Sequence, residues 1–413
     1  MAIALELLII IVMNSKRLLT LVTTFALISI IFLSTLGDEV ALVAFIFKVE
    51  SASSSGFSIS MLLAAQLVPG ILLGPFSGQF IDRFETTRVL VITLILQGLL
   101  LCLLPTTDSV VLILLNATIL GCLFTISQPA LFTLLPIIVR SSTSAVAKTA
   151  WANTIVEISQ RFGSLIGTVL GGLIVARSNG ISMAFAIDGT TFLIAAPVIW
   201  FSGIRRHPIE TEPNQQKSIF ERIFAGIHIL WQDRILRTVL PVFTAIMLVS
   251  SISDVAFIFF VRQVLEGSSV TYGILVAVWG GGIILGAFLG ATLLVERLEL
   301  FSMFAAALIG VSLGLSGIFP TLVFVAVTYA IGGIANGLFN VAVRTLLHQR
   351  VSEQMYGRAF SAYLALRNVA ILTGYFAGAP FAVEFSRAVY IVSGALATAI
   401  GVFGIVSVMA HSK

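Results

Sequence analysis

The sequence predicts an all-α membrane protein of about twelve transmembrane helices in two pseudo-symmetric six-helix bundles. Three observations carry that prediction. Apolar residues make up 58% of the 413 and charged residues only 10%, with a mean hydropathy of +1.09, whereas about a quarter of a soluble chain is charged. Continuously apolar runs recur along the chain, each near the roughly 20 residues a helix needs to cross a bilayer. Their continuity excludes the short alternating strands of a membrane barrel. The chain also repeats: Leu73-Gly74-Pro75-Phe76-Ser77-Gly78 returns as Leu285-Gly286-Ala287-Phe288-Leu289-Gly290, and Thr133-Leu134-Leu135 as Thr345-Leu346-Leu347, both at an offset of 212 residues. A shared offset places six spans in each half, with a central site between parallel repeats.

The elements follow in order. Met1 to Val12 carries Glu6 and lacks the basic start of a signal peptide, so it reads as a surface helix or as an extended start ahead of Met13. Predicted span cores are Leu18 to Phe47, Phe57 to Phe80, Val89 to Leu104, Val110 to Val139, Ala145 to Ala176 and Ile181 to Gly203 in the first half. The second half gives Val239 to Val261, Tyr272 to Val295, Leu300 to Ile318, Leu322 to Leu347, Ala359 to Val383 and Ala388 to Met409. Domain boundaries follow: a cytoplasmic or interfacial segment 1–17, a bundle 18–203, a linker 204–237, a second bundle 238–409 and a tail 410–413. In the linker, Ile219, Phe220, Ile223, Phe224, Ile227, Leu230 and Trp231 share one helical face. That pattern predicts a helix lying in the membrane interface and tethering the bundles.

Lysine and arginine set the orientation. With the amino terminus inside, the inner segments hold 16 of them and the outer loops only Lys48, Arg177, Arg262 and Arg387. Both termini are therefore expected in the cytoplasm, in a multi-pass protein of the cell membrane. The formal charge of +4 follows from this asymmetry and implies no nucleic-acid partner. Cys102 and Cys122 sit alone in apolar runs as packing residues. No P-loop, H-E-x-x-H or G-x-S-x-G occurs, and the four histidines lie in cytoplasmic or interfacial segments. The expectation is a non-enzyme without metal or cofactor, and a single chain sufficient as a monomer.

Between the second and third spans runs Gly74-Pro-Phe-Ser-Gly78-Gln-Phe-Ile-Asp82-Arg83-Phe-Glu85-Thr-Thr-Arg88-Val-Leu90. The pattern G-x-x-x-D-R-x-x-x-x-R between two apolar spans resembles the signature loop of the major facilitator superfamily, matched by Gly78, Asp82, Arg83, Arg88 and Leu90. Glu85 stands where that family usually has glycine. The second copy is degraded, with Leu294 at the aspartate position and Glu296 and Arg297 two residues late. The fifth span contains Gly163-x-x-x-Gly167-Thr168-x-x-Gly171-Gly172, similar to the glycine motif of the superfamily's antiporters, with Thr168 in place of proline. Glycines so spaced flatten one helical face for close packing, which fits either a seal on the outer side of the pathway or general helix contact.

Ionisable residues inside spans mark ion or substrate paths by default. Glu157 and Arg161 lie four apart on one face of the fifth span, near the midplane, and Arg367 reaches a similar depth in the eleventh. The three are expected to share a central cavity, with Glu157 as proton acceptor and Arg161 as its partner; a static ion pair is the alternative. Asp38 and Asp254 occupy roughly equivalent places in the first and seventh spans, as proton sites, gate residues or solvated groups, and Asp188 is similar. Gln97, Gln128, Asn336 and Asn340 read as ligand contacts or helix glue. Phe257, Phe259 and Phe260 read as the lining of a greasy pocket or, in preference, as lipid-facing.

Ser34 to Asp38, Leu135-Pro136 and Asp188 to Phe192 resemble the branch of the superfamily that contains macrolide and siderophore exporters. The resemblance implies export of amphipathic small molecules by proton antiport and alternating access, with Asp82, Arg83 and Arg88 as an inner latch. An importer of a metabolite and a non-transporting receptor are the alternatives.

Overall fold

The computed structural model describes residues 28–139, 145–201, 205, 219–292 and 297–411. Thirteen helices are described and, among these residues, no strand. α1 covers Ile28–Ala52, followed by α2 Gly56–Arg83, α3 Thr86–Leu103, α4 Val110–Val139, α5 Ala145–Val175 and α6 Gly180–Phe201. After α7, Ile219–Gln232, come α8 Leu236–Phe259, α9 Ser269–Thr292, α10 Leu298–Ile318, α11 Leu322–Arg350, α12 Glu353–Gly378 and α13 Ser386–His411. Segment 1–17, the first residues of the expected first span, most of the linker ahead of α7, Leu294 and Glu296 of the degraded loop, and the end of the tail fall outside the described residues.

Eleven of these helices are long and apolar enough to cross a membrane. α12 is equally long, at 26 residues, but carries Arg358, Arg367 and Asn368. It packs between α8, α7 and α2, with Arg367 and Asn368 half-buried and Arg358 exposed. Large apolar side chains elsewhere point outward, Val323 at 76% exposure and Phe201 at 82%, as suits a surface solvated by hydrocarbon. Twelve crossings bring the start of α1 and the end of α13 to one face, here the terminal face.

The two most enclosed spans are α1 and α8, the first helix of each half. Repeat symmetry thus places equivalent helices at the centre. It also overturns the lipid-facing reading of Phe257, Phe259 and Phe260, which are 7%, 1% and 0% exposed: α8 is walled in by α10, α11, α12 and α13, so an all-round apolar helix here means burial in protein.

The halves meet at the face opposite the termini. α5 packs on α9 and α2 on α12. Ser269 donates to the Gly172 carbonyl at 2.8 Å, Ser60 to the Tyr375 carbonyl at 2.7 Å, and Phe47 meets Tyr272 edge-on at 5.6 Å. A π-helical turn, Phe260–Val264, widens the end of α8 and carries Arg262 to 3.9 Å from Glu50 and over the Phe47 ring.

α7 forms where its periodicity predicts. Leu230 is fully buried while Phe224 and Trp231 are 67% and 46% exposed, and Gly226 lets the helix rest on the α12 backbone at Arg358. Asp233 accepts hydrogen bonds from the Ile235 and Leu236 amides at 2.9 and 2.8 Å, starting α8.

Candidate functional site

Two cavities flank α1. The first, about 290 Å³, lies within the N-terminal half between α1, α2, α3, α4 and α6, and its polar lining is Asp38, Glu39, Gln66, Gln128 and Asp188. The second, about 220 Å³, lies between the halves and is lined by Asp254 and Ser253 of α8 with Phe257, Tyr272, Trp279, Tyr329, Tyr375 and Tyr390. Leu42 of α1 lines both, so one side chain stands between them. Among the described residues, neither cavity is lined by lysine, arginine or histidine.

Around the first cavity, Asp188 is 2% exposed. A Cβ at Gly37 would collide with its carboxylate, so the absence of a side chain there lets α1 and α6 close with the carboxylate between them. Thr191 donates to the Asp188 carbonyl at 2.7 Å and approaches its Oδ1 at 3.4 Å. Asp38 Oδ1 is buried with no hydrogen-bond partner. Two carboxyl groups in a site without a basic residue cannot both carry full charge cheaply, because each lacks the solvent or counter-ion that would stabilise it.

Glu39 was not singled out in the sequence, although it shares the intramembrane-acid signal of its neighbour Asp38. It lines the first cavity while its carboxylate accepts hydrogen bonds from Ser164 at 2.6 Å and Thr168 at 3.4 Å on α5. Its partners lie 125 and 129 residues along the chain, a pairing that only the fold makes. Thr168, which stands where the family motif has proline, supplies one of these donors.

The glycine motif has two faces. Added Cβ atoms at Gly163, Gly167 and Gly171 would meet α1 at Phe32, Leu36 and Val40, whereas one at Gly172 would meet Ser269 of α9. α5 thereby joins α1 to the contact between halves. The face of α5 toward α9 runs from Gly172 through Thr168 to Leu165, which lies against Gly280. Continued toward the terminal face, it reaches Arg161 and Glu157, spaced by three or four residues.

Glu157 and Arg161 do pair, at 2.8 Å, and are 60% and 58% exposed. Neither these two nor Arg367, expected together in a central cavity, lines either of the two cavities described above. Arg367 sits on α12 about two turns from Tyr375, half-buried. Sequence depth along a span fixes height in the membrane but not the direction in which a side chain points.

At the α2–α3 turn, Gly78 and Asp82 fall within α2, outside the described side chains. Arg83 is exposed. Arg88 pairs with Glu85 at 2.6 Å, and Glu85 also takes Arg205 at 3.2 Å. The Arg205 guanidinium lies over Trp200, 4.7 Å from the ring centroid. Glu85, the residue that departs from the family's glycine, therefore centres an ion network that ties the turn to the end of α6. Gln128 lines the first cavity; Gln97 is fully buried and donates to Ser127 at 3.3 Å, joining α3 to α4. Asn340 donates to Asn336 within α11.

A family model for the Major Facilitator Superfamily matches residues 27–375. The chain belongs to that superfamily. Its members are transporters rather than enzymes, and they bind small-molecule substrates within the membrane. The MFS-type transporter YfiS of Bacillus subtilis is 23% identical over 419 residues, covering 95% of this chain and 93% of the relative. The multidrug efflux pump Tap of Mycobacterium tuberculosis is 23% identical over 349 residues, 80% of each chain. Among solved structures, the nucleoside transporter NupG superposes with a TM-score of 0.72 at 12% identity, covering 93% of this transporter and 98% of that chain. A bacterial homologue of the lysosomal transporter Spinster gives 0.71 at 15%, covering 94% and 97%. At these identities the structural likeness establishes the fold.

Proposed function

We propose that this transporter exports amphipathic small molecules by proton antiport, alternating between states open to either face. The observation that carries the reading is the Asp38–Asp188 pair, held without a basic partner on a cavity one side chain away from a second, aromatic one. A carboxyl pair of this kind takes up and releases a proton as its surroundings change, and Leu42 puts the second cavity within reach of that change. The contacts between halves at the opposite face belong to a state closed on that side. By the excess of lysine and arginine on the terminal face, that face is cytoplasmic in a cell membrane, with both termini inside and the whole pathway in one monomeric chain. Export rather than uptake is supported by the glycine motif of α5 and by the Tap relative.

In this reading Asp38 and Asp188 carry the proton, Glu39 and the α5 glycines carry the change to the opposite-face closure, and Asp82, Arg83 and Arg88 latch the cytoplasmic side. Glu157 and Arg161 line the cytoplasmic entrance. The test uses inside-out vesicles energised to acid interior, with a pH-sensitive dye and a panel of macrolides, lipophilic cations and siderophores. Substrate-triggered proton release that disappears in Asp38→Asn and persists in Glu157→Gln is the expected result. Loss in Glu157→Gln alone moves the proton site to α5, and proton-driven uptake of a panel compound in right-side-out vesicles would replace export with import.

A further inference from the structure

We propose that the second cavity is a recognition site for an organic cation, in which aromatic faces hold an alkylated or charge-delocalised nitrogen and Asp254 is its counter-charge. This deepens the export reading and rests on it for the direction of movement only.

The lining sets six aromatic rings around one acid. The rings brace one another. Phe257 stacks on Tyr329 at 5.5 Å and lies 4.7 Å from Tyr272, and Trp279 meets Tyr329 edge-on at 5.4 Å. Tyr329 and Tyr390 hydrogen-bond each other through their hydroxyls, which commits those polar tips to each other. Phe260 stacks behind Tyr390 at 4.2 Å.

Asp254 is different from the acids of the first cavity. It is exposed, through the cavity it lines, and among the described residues it has no hydrogen-bond or ion partner. An anionic guest would meet this acid with no basic residue to offset it, and a neutral guest would leave it unpaired in a low-dielectric site. Hard inorganic cations take six or more oxygen ligands, and two of the four tyrosine hydroxyls here are committed to each other. Aromatic faces attract soft, weakly hydrated cations through the ring quadrupole, most strongly when the site is desolvated. Shape agrees: about 220 Å³ holds the charged head of an amphipathic molecule, and Leu42 alone separates it from the first cavity.

The experiment measures binding to the purified full-length protein in nanodiscs, with no gradient imposed, of benzyltrimethylammonium and of its neutral carbon isostere neopentylbenzene. Binding of the cation at least about tenfold tighter than the isostere is expected, with a loss of similar size in Asp254→Asn. Tyr375→Leu should weaken the cation several-fold and Tyr375→Phe, which keeps the ring face, should not. Equal binding of cation and isostere to the wild type overturns the proposal even if Asp254→Asn fails to fold. Unchanged cation binding in a folded Asp254→Asn, with substrate-driven proton release lost, also overturns it and makes Asp254 a proton site instead. Charge-selective binding without any vesicle flux would sink the export reading and leave this site standing, whereas flux of neutral compounds with no charge preference would do the reverse.

Discussion

The two cavities on either side of Leu42 are close in size and opposite in chemistry. The N-terminal one carries three carboxyl groups and two amides, with Phe45 and Phe124 as its aromatic residues among those described. The one between the halves carries a single carboxyl among six rings. Descent from one repeat would make them equivalent, and the central placement of α1 and α8 preserves that equivalence at the level of helices. The side chains have diverged. An acid-rich cavity suits proton exchange and an aromatic one suits a soft cation, so the two cavities are fitted to different chemistry on a common frame of helices.

The strongest way to break this division is Asp188→Asn, which removes the most buried acid of the N-terminal cavity and keeps its shape. Substrate-driven proton release should fall by about 100-fold or more, as for loss of a proton-transfer group, while benzyltrimethylammonium binding stays within about twofold. Loss of both would mean that the cavities act as one site. Next in size is Gly172→Val, where the added methyls meet the α9 backbone at Ser269. Overpacking there should cost about 1–3 kcal/mol and loosen the opposite-face closure. In a background lacking Cys102 and Cys122, a Ser253→Cys reporter should then label from the opposite face with an impermeant maleimide; unchanged labelling would remove α5–α9 contact from the gate.

Glu39→Gln asks whether the N-terminal cavity speaks to that closure. Replacing a charge-assisted bond to Ser164 by a neutral one should cost about 1.5 kcal/mol, slowing turnover roughly tenfold without altering cation binding, and Thr168→Val, which removes the longer contact, should slow it less. Wild-type turnover in both variants would leave Glu39 as packing alone. The smallest effect is expected at Glu85→Ala, outside both cavities. Its ion pairs involve partly exposed arginines, so thermal stability should change by about 0–1 kcal/mol with turnover within about twofold, and a larger loss would make Glu85 itself part of the latch formed by Asp82, Arg83 and Arg88.

What was legible in the sequence was whatever depends on composition and period. Apolar runs fixed the number of crossings, the 212-residue offset fixed the two halves, and the amphipathic pattern from Ile219 to Trp231 fixed α7, because solvent and lipid act on each helix independently of its neighbours. Glycine spacing showed that α5 packs closely on something. Only the tertiary structure decided on what: α1 through Gly163, Gly167 and Gly171, and the other half through Gly172. The same holds for charge. An acid in an apolar run announces a cost that something must offset, but which group offsets it depends on rotation about the helix axis and on residues more than a hundred positions away. Hence Glu157 and Arg161 were found as a pair yet lie outside both cavities, Glu39 reaches α5, and Asp254 stands alone in an aromatic cavity drawn from α1, α2 and the six helices α8 to α13. Local physics sets the helices and their height in the bilayer; the direction each side chain faces is set only when twelve of them pack.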